Sequence, residues 1–314
     1  MYTATAASSI AQAAATALTL SPTSNVKGKS FDRFVQIFLE NQDFDIAAGD
    51  RKFPFIRLIV ASQQQFQHLH VLTANLAYLA KLGITLDNYY AITHPSQPNY
   101  VAAAGASTHW IIDDGFHRIG ESTETIVDLL DAGGISWSLY QEDMPYSGFE
   151  GDYINPQNGK NDYVRKHNPL MSYDSVTSDV QRLAKSKNFT LFERDLAAGT
   201  LPQWMFITPN MTNDGHDSSV TVAGQWARSF LEPLLANPSF NTGRTLVVLT
   251  FDECENYLAP NRVFTVLLGG AVTSNLVGTT NSTRFNHYSL TRTVELNWGL
   301  GDLGENDVSA TPFF

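Results

Sequence analysis

The sequence lacks several features that would tie it to particular classes of protein. It holds one cysteine, Cys254, among 314 residues, so no intrachain disulfide can form. It holds no run of lysine and arginine, and its 31 acidic and 20 basic residues give a net charge of −11. This charge argues against a nucleic-acid partner or an anionic membrane held by general electrostatics, because such partners require a basic surface.

Long apolar stretches are also lacking, so we expect no stable membrane insertion. Residues 1–24 are rich in alanine and serine but have neither the basic nor the apolar region of a signal peptide. We interpret them as an N-terminal segment ahead of one domain, 25–314. Three glycosylation sequons, beginning at Asn188, Asn210 and Asn281, nevertheless favour a glycoprotein that is secreted or associated with the cell wall.

What is present is the alternation of strands and helices typical of an α/β protein. Hydrophobic residues make up 43% of the chain, enough for a sizeable core. We predict strands at 31–39, 84–92, 135–140, 204–207, 245–251 and 263–268, and helices at 76–82, 125–131, 176–187, 220–235 and 288–296. This order predicts a three-layer α/β/α sandwich around a mostly parallel central sheet.

One stretch places a serine between two prolines, at the turn from a predicted strand to small, helix-compatible residues at 101–105. Pro95 and Pro98 fix their own φ angles and move the residues before them away from the α region. Ser96 is therefore held on a stiff turn, which suits a nucleophile. We predict that Ser96 is the nucleophile of a phosphate-ester hydrolase, and an acidic chain of this kind needs a local cation, such as a bound metal.

Polar residues follow several predicted strands, where function gathers in open α/β sheets. Glu40-Asn41, the Ser96 turn, residues 210–217 and Asp252-Glu253 lie at such positions, and His287 precedes the last helix. Paired carboxylates after a buried strand favour a cation between them, although they could also face solvent or cap a turn. The oxygen-rich set suits Mg²⁺ or Ca²⁺, whereas Zn²⁺ prefers more nitrogen ligands.

Histidines are harder to interpret from the sequence. His216 lies in a stretch rich in Asn and Asp whose composition alone favours a polar surface turn, whereas its position after a predicted strand favours a functional role. His287 could equally be a residue at the start of a helix with no catalytic role. We interpret the remaining histidines as structural or solvent-exposed: His68, His70, His109, His117 and His167.

Six motifs together resemble the phosphoesterase family of fungal acid phosphatases, which is related to bacterial phospholipases C and belongs to the alkaline-phosphatase-like superfamily. They occur in the family's order, at residues 38–41, 93–100, 140–145, 208–217, 250–253 and 286–289. The resemblance covers the chain from about residue 25 to its end.

The resemblance implies one divalent metal ion held by Glu40, Asn41, Asp252 and Glu253. It implies that Ser96 forms a phosphoserine that water then hydrolyses, and that His216 and His287 assist catalysis. Substrate-binding roles are implied for Asn99 and Asp214. His94 is grouped with them as a substrate-binding candidate because it is close to Ser96 in the sequence, although nothing shows it to be the activating base.

The chain departs from the family at residues 51–73, an apolar and then glutamine-rich stretch that resembles an insertion or a translated intron. The expected function is an acid phosphatase acting on small phosphate monoesters. Two alternatives stay open: a phospholipase C-type phosphodiesterase of the same fold, and a non-catalytic secreted glycoprotein inactivated by the insertion. Metal identity (Mg, Ca or Zn) and oligomeric state are left open.

Overall fold

The computed structural model of the protein describes residues 7–49 and 74–314. The proposed insertion at 51–73 lies outside the described residues. Within them, no helix combines the length and the apolar character that a membrane crossing requires.

The helices and strands occur in the alternating order that the sequence predicts. The helices are α1 (Ala7–Ala14), α2 (Phe44–Ala48), α3 (Ala74–Ala80), α4 (Ser96–Gly105), α5 (Ile126–Ala132), α6 (Asp174–Thr177), α7 (Val180–Leu183), α8 (Phe189–Ala198), α9 (Val220–Ala236) and α10 (Tyr288–Trp298). The strands are β1 (Arg33–Leu39), β2 (Ile84–Leu86), β3 (Tyr89–Tyr90), β4 (Trp137–Gln141), β5 (Tyr153–Ile154), β6 (Asn161–Tyr163), β7 (Ser186–Asn188), β8 (Trp204–Thr208), β9 (Thr245–Phe251), β10 (Val266–Leu268), β11 (Thr279–Asn281) and β12 (Phe285–Asn286).

Eight of these strands form the central sheet, in the order β11-β2-β10-β9-β1-β8-β4-β7. Within the described chain β10 alone runs against the others, since it pairs antiparallel with both β9 and β2. The apolar strands β1 and β9 lie side by side in the middle, with Leu39 paired to Phe251. Because these two parallel strands end in register, the residues that follow them emerge together at one edge of the sheet.

Helices cover both faces of the sheet. On one face, Phe38 of β1 and Phe206 of β8 contact the ring of Tyr100 from α4, at centroid distances of 5.3 and 6.0 Å. Leu139 of β4 is paired with Phe206 and therefore points to the same face. Tyr140, the next residue along β4, points to the other face. There it contacts Phe192 of α8 at 5.1 Å. The predicted α/β sandwich with a mostly parallel sheet is confirmed.

Two predicted elements differ from the observed ones by more than their end residues. The helix expected at 176–187 is interrupted because the Asp179 side chain accepts hydrogen bonds from the amides of Gln181 and Arg182, which starts a new helix, α7. The chain then leaves the helix and pairs with β4 as strand β7. The single strand expected at 84–92 is two strands, β2 and β3, that belong to different sheets.

Two residues of the predicted N-terminal segment are hydrogen-bonded to the rest of the fold. Ser21 donates to both carboxylate oxygens of Asp195, at 2.8 and 2.9 Å. Ser24 donates to the side chain of Gln203 at 2.6 Å. The end of the N-terminal segment therefore packs on the α/β domain.

Candidate active site

Four buried carboxylates meet where the central strands end. Glu40 follows β1, and Asp252 and Glu253 follow β9. Asp214, from the loop after β8, accepts the backbone N–H of Glu40 through its own carbonyl oxygen at 2.9 Å. All four side chains are at most 1% exposed. The parallel register of the strands thus brings together acids that are far apart in the sequence.

Ser96 reaches this cluster from the first position of α4. Its hydroxyl oxygen lies 3.1 Å from Oε2 of Glu40 and 3.3 Å from Oε1 of Glu253. The side chain is almost completely buried. The serine predicted as the nucleophile is therefore placed between two of the predicted metal ligands.

Asn99 holds the turn that presents Ser96. Its Oδ1 accepts hydrogen bonds from the backbone amides of Ile92 and Thr93, at 2.9 and 3.1 Å. Its Nδ2 donates to the carbonyl oxygen of Thr93 at 2.8 Å. The amide predicted to bind substrate thus makes its hydrogen bonds with the turn, and its substrate-binding role stays a prediction.

Several buried acceptors of the cluster have no hydrogen-bond partner among residues 7–49 and 74–314. They are Oδ1 of Asn41, Oδ2 of Asp214, Oδ2 of Asp252 and Oε2 of Glu253. Asn41 also adopts a left-handed conformation, with φ of 47°, and its amide N–H donates to Asp252 at 3.1 Å. Buried oxygens that lack donors are costly unless a cation satisfies them, so the residues present fit a hard divalent metal.

The pKa values of the carboxyl groups in the cluster also favour a bound cation. Burial raises the pKa of Glu40 and of Asp214 well above the usual range, and the neighbouring carboxylates raise the pKa of Glu40 further. Burial also raises the pKa of Asp252 to about 7 and, together with the charge of Asp252, the pKa of Glu253 to about 9. A bound cation would lower these pKa values again, because it favours the ionised carboxylates.

His167 is a member of the cluster that the sequence did not indicate. It is buried, with Nε2 3.3 Å from Glu40 and Nδ1 3.7 Å from Asp214. One ligand atom from each of these three residues lies within 4.8 Å of the others, so the group could hold a metal ion. Burial lowers the pKa of His167 well below its usual range, which keeps the ring neutral as a metal ligand requires.

Tyr100 and Lys166 complete the surroundings of Glu40. The Tyr100 hydroxyl donates to Oε1 of Glu40 at 2.5 Å, and its ring stacks on His167 with centroids 5.0 Å apart. Lys166 pairs with Asp114 at 2.7 Å. Burial alone would lower the pKa of Lys166, but the carboxylates of Glu40 and Asp114 raise it above its usual value. The Lys166 ammonium group therefore stays positively charged beside the cluster.

The predicted catalytic histidines lie in different surroundings. His216 is partly exposed, and its backbone N–H donates to Asp214 at 2.8 Å while Nδ1 lies 2.7 Å from Asp217. His287 is fully buried: Nε2 lies 2.6 Å from the carbonyl oxygen of Asp252, and Nδ1 lies 3.1 Å from the Tyr89 hydroxyl. Burial lowers the pKa of His287 to about 4. His287 thus contacts the site through the backbone of Asp252.

His94 lies at the rim, between the cluster and an exposed loop. Its Nδ1 is 2.5 Å from Oε2 of Glu253, without the orientation of a hydrogen bond. Its ring stacks on Tyr257, with centroids 4.0 Å apart. Burial lowers the pKa of His94, although Asp43 opposes this change. The contact places His94 beside a predicted metal ligand.

The chain is similar in sequence to known phosphatases. The phosphoesterase family model matches residues 59–301. A phosphate-repressible acid phosphatase of Penicillium chrysogenum is 51% identical over 95% of the chain and 66% of its own length. An acid phosphatase of Aspergillus fumigatus is 47% identical over 96% of the chain and 63% of its own length. The chain thus spans about two thirds of the length of these curated relatives.

More distant similarities extend beyond fungi. A phosphatidylinositol-3-phosphatase of Mycobacterium tuberculosis is 27% identical over 88% of the chain and 79% of its own length. A solved structure from Vibrio parahaemolyticus, of a protein in the alkaline phosphatase superfamily, aligns with a TM-score of 0.55 at 11% identity. That alignment covers 98% of the chain and 78% of the Vibrio protein, and it shows a shared fold.

Proposed function

The chain belongs to the phosphoesterase family, and on that premise we propose that it is an acid phosphatase that releases phosphate from small phosphate monoesters. The observation that carries the proposal is the position of Ser96. A buried hydroxyl between the carboxylates of Glu40 and Glu253 has no evident packing role, but it is well placed as a nucleophile beside a metal.

Glu40, Asn41, Asp252 and Glu253 would hold one divalent ion, and the unpartnered oxygens of this set support their assignment as ligands. Asp214 and His167 border the same position and could complete the ligand set. A bound divalent ion supplies positive charge that stabilises the serine alkoxide and the phosphoryl oxygens.

The protein's own residues account for the remaining steps. Ser96 attacks phosphorus from the N-terminus of α4 and becomes a phosphoserine, which water hydrolyses in the second half of the reaction. The Ser96 proton is directed toward Oε2 of Glu40, the closer carboxylate oxygen. Lys166 adds a cation beside the phosphoryl group, where charge is spread over oxygen atoms in the transition state.

His216 is the better placed of the two predicted catalytic histidines to assist the leaving group. It is partly exposed, and the backbone bond to Asp214 holds its main chain beside the cluster. Both ring nitrogens of His287 contact protein atoms, the Tyr89 hydroxyl and the backbone carbonyl oxygen of Asp252. Through the second contact, His287 positions Asp252. Asn99 keeps the Ser96 turn in place.

The test compares phosphate release from p-nitrophenyl phosphate with cleavage of its phosphorylcholine diester. We expect hydrolysis of the monoester, with an optimum in acid, and loss of at least about a thousandfold in Ser96→Ala. Cleavage of the diester alone would favour the phospholipase C-type alternative. Absence of cleavage of both esters would favour the non-catalytic alternative and contradict the proposal.

A further inference from the structure

The side chain of Asn261 joins the turn that presents Ser96 to the loop that carries Glu253. Its Nδ2 donates to the carbonyl oxygen of Thr93 at 2.8 Å. Its Oδ1 accepts the backbone N–H of Cys254, the residue after Glu253, also at 2.8 Å. Both distances are those of well-formed hydrogen bonds. One side chain therefore connects the turn of the proposed nucleophile with the loop of a proposed metal ligand.

The main chain holds Asn261 at the start of this connection. The backbone N–H of Ala91 donates to the carbonyl oxygen of Asn261 at 2.9 Å. Next to it, Tyr90 and Arg262 form an antiparallel β-bridge. These contacts fix Asn261 beside the segment that leads from β3 into the Ser96 turn, so that its amide group reaches the turn from a defined position.

Asn99 makes the turn itself a stable unit. The Thr93 carbonyl oxygen that accepts Asn261 also accepts Nδ2 of Asn99 at 2.8 Å. Oδ1 of Asn99 accepts the N–H groups of Ile92 and Thr93. Asn99 and Ser96 both lie in the first turns of α4. A displacement at the Thr93 carbonyl group is therefore passed on to Ser96.

The distance that this connection spans matters for the proposed reaction. The Ser96 oxygen lies 3.3 Å from Oε1 of Glu253, although 157 positions separate the two residues in the sequence. The two atoms belong to two loops, and Asn261 links the same two loops. A displacement of about 1 Å at a reacting centre can slow a reaction by a factor of about one hundred.

We propose that Asn261 is a positioning residue that sets the distance between the Ser96 oxygen and the Glu253 carboxylate. The proposal rests on the phosphatase function proposed above and adds a residue that neither touches the substrate nor follows a strand of the central sheet. The phosphate ester is already bound before Ser96 attacks, and the bond from Ser96 to phosphorus forms only in the transition state. Loss of the Asn261 side chain should therefore reduce kcat and leave KM nearly unchanged.

The first experiment measures both constants for p-nitrophenyl phosphate in Asn261→Ala. We expect kcat to fall about thirtyfold and KM to stay within about threefold of the value for the unmodified protein. An unchanged kcat would overturn the positioning role and leave the phosphatase proposal intact.

Asn241→Ala is the matched control. Nδ2 of Asn241 donates to the carbonyl oxygen of Leu235 and Oδ1 accepts the N–H of Gly270, both at 2.8 Å. Asn241 thus makes the same two kinds of bond, but it precedes β9, whereas Glu253 follows that strand. The control should keep the kcat of the unmodified protein, and an equal fall of kcat in Asn241→Ala would overturn the positioning role.

A binding measurement tests the role without turnover. Orthovanadate can accept the Ser96 oxygen as a fifth ligand and then resembles the transition state, whereas inorganic phosphate resembles the bound product. Calorimetry with the metal-loaded protein should show that Asn261→Ala weakens orthovanadate binding about thirtyfold and phosphate binding less than about threefold. Equal effects on the two anions would overturn the positioning role. Selective loss of orthovanadate binding in a protein that releases no phosphate would contradict the proposed function alone.

A double variant separates positioning from general damage to the site. If Asn261 acts through Ser96, Asn261→Ala should weaken orthovanadate binding no further once Ser96 is replaced by alanine. A further loss in the double variant would overturn the proposal.

Asn261→Asp serves as a second variant in case the alanine variant does not fold. At pH 7 the ionised aspartate keeps the size of the side chain and an acceptor for the N–H of Cys254, but it cannot donate to the Thr93 carbonyl oxygen. We expect kcat to fall in this variant as well, and an unchanged kcat would overturn the positioning role.

Discussion

The hydroxyl oxygen of Ser96 lies 3.1 Å from Oε2 of Glu40, although 56 positions separate the two residues in the sequence. Glu40 directly follows the central strand β1, and Ser96 begins α4. The contact therefore depends on the packing of α4 against the sheet, in which Tyr100 contacts Phe38. It joins the proposed nucleophile to the proposed metal ligands.

The carboxylates of the cluster should determine metal content. Asp252→Asn removes one charge from a buried set whose unpartnered oxygens fit a cation, so we expect loss of both bound metal and phosphate release. Elemental analysis of the purified protein measures the metal. Asp113→Asn, an exposed carboxylate outside the cluster, is the control. A full metal equivalent retained by Asp252→Asn would exclude Asp252 as a ligand.

Tyr100 should tune the metal site through Glu40. Tyr100→Phe removes the hydroxyl that donates to Glu40 and keeps the ring, so we expect metal affinity to fall about tenfold. Titration with the metal measures the dissociation constant. Tyr173→Phe removes a similarly buried hydroxyl, which donates to the Val101 carbonyl oxygen at 2.8 Å, and should leave the affinity unchanged. Equal affinities in both variants would show that the Tyr100 bond has no part in metal binding.

A buried ion pair should stabilise the packing of the N-terminal segment. Lys187 lies 2.6 Å from Asp195, which also accepts hydrogen bonds from Ser21 and Tyr140. Asp195→Ala leaves the Lys187 ammonium buried without its partner, and we expect the free energy of unfolding to fall by about 3 kcal/mol.

Chemical denaturation measures this effect. Lys27→Ala, which breaks an ion pair whose lysine is 72% exposed, should change the free energy of unfolding by less than about 1 kcal/mol. Similar losses in the two variants would show that burial of the Lys187 pair is without consequence.

Glu295 should make stability depend on pH. Burial and the nearby Asp307 raise the pKa of Glu295 from 4.5 to about 8, against the opposing effect of Arg292. Because the fold favours the protonated acid, its contribution is fully present below about pH 4.5 and is lost as the pH rises through about 8. The protein should therefore become steadily less stable over this interval through Glu295.

Glu295→Gln removes the titrating group, so the dependence of the free energy of unfolding on pH should become flatter between pH 4.5 and 8. Denaturation at a series of pH values provides the measurement, with the exposed Glu255→Gln as control. If both variants follow the unmodified protein, Glu295 does not carry the predicted dependence.

Much of the fold follows from local sequence pattern, because the central strands are continuous apolar runs. The predicted strand at 245–251 agrees with β9, and the strand predicted at 204–207 extends one residue further in β8. Strand β7 has no such pattern: its three residues, Ser186–Asn188, are polar, and only pairing with β4 makes them a strand. The strand is determined by tertiary contacts that no local pattern reports.

The candidate site likewise contains some residues that the sequence could predict and one that it could not. Glu40, Asp252 and Glu253 could be predicted because carboxylates directly follow buried strands, a position that the sequence reveals. His167 could not, because it lies on a short 3-10 turn in the long connection between the central-sheet strands β4 and β7, far from the end of either strand. The available signal was the basic triplet Arg165-Lys166-His167, which is unusual in so acidic a chain.

The central claim is that Ser96 accepts the phosphoryl group, and trapping the reaction in acid during turnover tests it most directly. Mass spectrometry of the digested protein should find one phosphoryl group on Ser96, and Ser96→Ala should carry none. A phosphoryl group on another residue, or phosphate release by Ser96→Ala at the unmodified rate, would contradict the account.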